Sequence, residues 1–83
     1  MNEDENFIRE NISSLLSSRE VKGKAGEISG EWKLHENEIQ SIHPMPHNIE
    51  FTVLLENGSD CLLVSAKIHR DTARISNIEV NEI

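Results

Sequence analysis

His43 and His47 stand four residues apart, with His35 and His69 further off on either side. Neutral imidazoles suit zinc or nickel, and a spacing of four puts two ligands on one face of a helix. Here Pro44 and Pro46 intervene, and proline withholds the backbone donors a helix needs. No third ligand is fixed by spacing. The histidines therefore read as polar loop residues, and no metal or cofactor is assigned.

The other reactive side chains fare no better. His69-Arg70-Asp71 matches the catalytic-loop tripeptide of protein kinases, but the chain has neither their glycine-rich loop nor their strand lysine, and 83 residues are far too few. It reads instead as a polar turn. Ser59 and Asp60 follow Gly58, yet nothing around them makes the strand-turn-helix elbow that exposes a hydrolase nucleophile. Cys61 is the single cysteine, which excludes an internal disulfide and the paired-cysteine zinc patterns. Its neighbours are negative, and negative charge disfavours a thiolate. Glu27, Glu31, Glu50 and Glu56 are enough carboxylates for acid-base work, but alternation assigns them to a solvated face, where nothing raises a carboxyl pKa. No catalytic constellation emerges, and no enzyme is expected.

The elements that would position these residues follow from periodicity. Phe7, Ile8, Ile12, Leu15 and Leu16 fall at helical spacing and predict one amphipathic helix over 4–21. Asn2 and Glu5 suit its start, Arg19 and Lys22 its end, and Lys22 to Gly26 a connector. From Glu27 the period becomes two. Ile28, Gly30, Trp32 and Leu34 alternate with polar residues and predict a strand over 27–35, with Trp32 anchored under the helix. His35-Glu36-Asn37 predicts a turn, and 38–43 a second strand whose Ile39 and Ile42 differ in parity, as a bulge or an early strand end would explain. The segment His43-Pro44-Met45-Pro46-His47 predicts a loop.

Strands over 48–56 and 60–69 flank Asn57-Gly58, a strong hairpin signal. A two-residue turn there pairs Val53 with Leu62, Phe51 with Val64 and Ile49 with Ala66. A last strand over 73–81 again has two isoleucines, Ile75 and Ile78, of unequal parity. The expected architecture is a single α+β domain over 1–83, an N-terminal amphipathic helix packed on one face of a four- to five-stranded antiparallel meander.

One helix covers only one face of such a sheet. The other carries Glu50, Thr52, Leu54 and Glu56 on one strand and Cys61, Leu63 and Ser65 on the next. This predicts an apolar island, Leu54, Leu63 and Cys61, rimmed by carboxylates and enlarged by Glu27 and Glu31 if the first strand adjoins. On the inward parity only Ser41 and Asn77 are polar candidates for a pocket between helix and sheet.

Net charge of −7 repels phosphate backbones and anionic lipid, so neither nucleic acid nor membrane is an expected partner. Residues 27–60 concentrate the acid, with Glu27, Glu31, Glu36, Glu38, Glu50, Glu56 and Asp60 against the single basic residue Lys33. Three aromatic residues give no stacking platform for single strands. The acidic start has no basic region or apolar run of a secretory signal, and no segment approaches the ~20 apolar residues of a membrane span; a cytoplasmic location is expected. The function expected is a protein-binding module, an inhibitor of the immunity or phage anti-defence kind, whose acidic face occludes a basic surface on a nucleic-acid-handling or toxin partner. Residues Glu27, Glu31, Glu50, Thr52, Leu54, Glu56, Cys61 and Leu63 would make the contact. The alternatives are a homodimer or assembly subunit using the same face or an edge strand, and a small-ligand or catalytic domain with a helix-sheet pocket.

Overall fold

The computed structural model describes residues 3–25, 32–58 and 60–82. Three helical segments, α1 (Glu3–Glu10), α2 (Ile12–Leu16) and α3 (Arg19–Ala25), precede four strands, β1 (Lys33–Pro44), β2 (Asn48–Asn57), β3 (Asp60–His69) and β4 (Ile75–Glu82). The strands form one antiparallel sheet in the order β1-β2-β3-β4. The architecture is α+β: helical segments on one face of a meander.

The stretch expected as one helix over 4–21 is broken twice, each time by a short polar side chain that competes with helical hydrogen bonding. Asn11 folds its side-chain amide back to donate to the Phe7 carbonyl at 2.8 Å, and its backbone N–H reaches only Ile8 O, three residues back. Ser18 does the same for the second break. Its N–H donates to Leu15 O at 3.0 Å, while its hydroxyl accepts the Val21 N–H at 3.3 Å and so caps α3. The segment expected as a connector, from Lys22 on, instead continues α3 to Ala25.

The breaks change which apolar side chains reach the sheet. Ile8, Leu15 and Val21, one per segment, are buried with Ile49, Phe51, Val53 and Leu55 of β2 and Leu62, Val64, Ala66 and Ile68 of β3. Phe7, Ile12, Leu16 and Trp32 pack at the margin of this core. No buried side chain among the described residues is polar or charged.

The expected strand over 27–35 and turn at 35–37 need correction. Residues 27–31 lie outside the described part, and Lys33 to Pro44 is one strand rather than a strand end, a turn and a second strand. Its irregularity is compressed into two register shifts against β2, from Leu34↔Leu55 to Ile39↔Val53 and from Ile39 to Ser41↔Thr52. Glu36 within the first shift has φ 53°, a left-handed conformation uncommon outside glycine. The second shift inserts one residue, which is why Ile39 and Ile42 both turn to the core despite unequal parity. β4 uses the same device. A shift between Ser65 and Lys67, with Asn77 at φ 52°, lets both Ile75 and Ile78 pack against the core.

The β2–β3 register also differs from expectation by two residues. Asn57 pairs with Asp60 rather than entering the turn with Gly58, and Val53 faces Val64, Leu55 faces Leu62, and Phe51 faces Ala66. Gly58 takes φ +63°, which glycine adopts without the Cβ penalty. Because the shift is even, each side chain keeps its face.

His69-Arg70-Asp71 is a turn, and Arg70 ties three parts of the chain together. Its guanidinium donates to Asp4 Oδ1 of α1 at 2.8 Å and to the Met45 carbonyl at 2.8 Å, and its backbone N–H donates to the His47 carbonyl at 3.0 Å.

Candidate functional site: the open sheet face

Alternation along β2 and β3 sends every second side chain away from the helices, and strand pairing arranges these in rows across the sheet. Leu54 faces Leu63 directly, with Asn81 of β4 beyond. Both leucines are only partly buried and stand outside the core cluster. Directly opposed side chains lie within about 5.5 Å at Cβ, so the two leucines form one apolar patch. Cys61 closes it at the hairpin end, opposite Glu56.

The next rows are polar. Ser41, Thr52, Ser65 and Glu79 line up across all four strands, with the Thr52 and Ser65 hydroxyl oxygens 3.2 Å apart. Beyond them lie His43, Glu50, Lys67 and Ser76. Ser41, Thr52 and Ser65 of the first row and His43, Glu50 and Lys67 of the second line a hollow of about 290 Å³, which Asn77 borders. Ser41 and Asn77, the two polar candidates for an inward pocket, are therefore on the outer side. The bulges beside them reverse the parity that sequence alternation implies.

The carboxylate rim differs from expectation in its state. Glu50 lies 3.7 Å from Lys67 Nζ, and Glu56 lies 3.9 Å from Lys33 Nζ and 2.6 Å from His35 Nδ1. The Glu50 and Glu56 carboxylates are thus partly neutralised rather than simply solvated. Thr52, Leu54, Glu50, Glu56, Cys61 and Leu63 do share one face, while Glu27 and Glu31 lie outside the described residues. Sequence reasoning missed Lys33, His35 and Lys67. Lys67 was within reach, because it shares parity with Leu63 and Ser65, and so was Lys33, which shares parity with Glu27 and Glu31; His35 was hidden by the turn expected at 35–37.

The short His35 Nδ1–H to Glu56 Oε2 hydrogen bond raises the imidazole pKa above its ordinary 6.5, against partial desolvation and with added pull from the Glu56, Glu36 and Glu38 charges. A pKa raised on folding stabilises the protein fully below the unfolded value, and that contribution fades as pH climbs through the folded one. Melting temperature should therefore fall as pH rises from about 6.5 through the titration of His35, by a small amount because the ring is 38% exposed. His35→Gln should remove that slope in thermal melts across pH, and an unchanged slope would refute the assignment.

Among the described residues no three His, Cys, Asp or Glu side chains come together in a group that would hold a metal. No helix there is long and apolar enough to cross a membrane. Compared with known proteins, the chain matches no family model, no curated sequence and no solved structure.

Proposed function

We propose that this chain is a non-enzymatic protein-binding module that presents its open sheet face to a basic partner surface. It would act in the cytoplasm as an inhibitor of the immunity or anti-defence kind, occluding a nucleic-acid-handling or toxin partner. The observation that carries the reading is the directly opposed Leu54–Leu63 pair, left outside the core on the side away from the helices. Such a patch becomes an interface centre when polar groups ring it, and Glu50, Glu56, Thr52 and Ser65 do so here. The overall charge of −7 speeds encounter with a cationic surface.

Self-association is less well supported. Two copies would bring −7 against −7, and β1 and β4, the outer strands among the described residues, both carry register shifts that spoil edge-to-edge pairing. A pocket between helices and sheet is less well supported too: among the described residues no polar or charged residue is buried as a whole, and the hollow between α2 and β1 offers, as a buried polar atom, only the unpartnered Trp32 Nε1 to orient a ligand.

A photo-crosslinking side chain placed at position 54, and separately at exposed Ser14 on α2, tests the reading in the native host. A basic protein is expected to crosslink from position 54 and not from position 14. The purified pair should then lose roughly a hundredfold or more in affinity on Leu63→Lys and associate more slowly as salt rises. Crosslinks to a second copy of the chain, or equal crosslinking from both positions, would overturn it.

A further inference from the structure

The hollow beside the leucine patch has a chemistry of its own, and we infer that it is a receptacle for an arginine side chain of the docking partner. This rests on the proposed docking face and names the anchor within it. Among the described residues that line the hollow, Glu50 carries the one carboxylate, and Ser41, Thr52, Ser65 and Asn77 add side chains with neutral oxygen acceptors. A guanidinium offers five N–H donors in a planar fork, which a carboxylate and several hydroxyl oxygens can satisfy together; an ammonium offers three. The hollow, about 290 Å³, has room for that head and the end of its stem.

Two cationic or potentially cationic groups face Glu50 from the neighbouring strands, Lys67 on β3 and His43 on β1. The lysine does not close the site. Lys67 Nζ is 3.7 Å from the nearest Glu50 oxygen, beyond hydrogen-bond range, and the two side chains are 34% and 42% exposed. A pair so long and so exposed contributes little, and a bidentate guanidinium makes the stronger contact. Lys67 is then a placeholder that an incoming arginine displaces, so lysine and arginine compete for one carboxylate.

That competition gives the test a sign that mere surface attraction lacks. The ¹⁵N-labelled protein is titrated with acetyl-Gly-Arg-Gly-amide, with the lysine peptide and with the neutral citrulline peptide, following backbone amide shifts. The arginine peptide should bind saturably at millimolar concentration, with the largest shifts at Thr52, Ser65 and Lys67. The lysine peptide should bind roughly threefold or more weakly, and citrulline not at all. Glu50→Gln should abolish binding, and Lys67→Met should tighten it by roughly threefold or more, with shifts elsewhere unchanged as a check on the fold. Equal binding of arginine and citrulline, weaker binding by Lys67→Met, or shifts centred on Glu56 and Asp60 would overturn the inference. If the crosslinked partner depends on Leu63 but not on Glu50, the docking face stands and the arginine site falls. If the peptide binds at Glu50 while position 54 crosslinks nothing, the reverse holds.

Discussion

Leu55→Ala is expected to destabilise the protein by about 2–5 kcal/mol, whereas Leu54→Ala, one residue earlier, is expected to cost under about 1 kcal/mol. The two side chains differ in little except face. Leu55 is fully buried between the helical segments and β3, where truncation leaves a cavity that close-packed neighbours fill only in part. Leu54 points the other way, against Leu63 and water. Stability of about 0.05–0.15 kcal/mol per residue gives a chain of 83 residues roughly 4–12 kcal/mol in all. The first substitution therefore removes a large share of the total. Urea titrations of the two variants measure the contrast directly, and equal midpoint shifts would mean that the face assignment of β2 is wrong.

Leu15→Ala is expected to cost a similar amount, about 2–5 kcal/mol, but to act first on the helical layer. The three segments span 8, 5 and 7 residues, each shorter than the roughly 12–15 residues at which an isolated helix becomes even marginal in water. They hold their shape because each sinks one side chain into the sheet, and Leu15, at 0% exposure, is the one that holds α2. Native-state hydrogen exchange should show amides of α2 and α3 losing protection in this variant ahead of those in β2 and β3. Ser14→Ala, on the exposed side of the same turn, should change neither. A Leu15→Ala protein that keeps helical protection at the level of the sheet would show that the layer does not depend on these three anchors.

How far the sequence foretold this structure varies with the range of the forces involved. Faces were legible wherever period two ran unbroken: Ile49, Phe51, Val53 and Leu55, and Leu62, Val64, Ala66 and Ile68, lie on the core side as alternation requires. The β2–β3 register was not, because Asn57-Gly58 signals that a turn is near without saying whether Asn57 enters the loop or ends the strand; it ends the strand, opposite Asp60. Unequal parity at Ile39 and Ile42 pointed to a bulge or an early strand end, and of the two it is the bulge that occurs. The turn expected at 35–37 failed because Glu36 takes a left-handed conformation inside a continuing strand, a choice that pairing with β2 makes and that no local signal carries. Asn11 and Ser18 break the helix through hydrogen bonds only one turn long, within the reach of local reasoning. At the candidate site, the island residues were legible from parity. Of the cations that partly neutralise its rim, Lys33 and Lys67 follow the same parity, while His35 lies in the irregular half of β1, beyond what alternation can place.

The clasp between Arg70 and Asp4 spans 66 positions of chain, and it bears on the order of events during synthesis. Residues of α1 leave the ribosome before any strand of the sheet, and the guanidinium that holds them follows only after β2 and β3 have been made. Until β2 and β3 are made the helical segments have no wall to lean on, and until Arg70 follows they have no clamp, so they wait as loosely coiled peptide while the hairpin assembles. Nascent chains arrested before position 70 should accordingly remain open to protease at their first twenty or so residues, and release of the last strand should close the molecule in one late step.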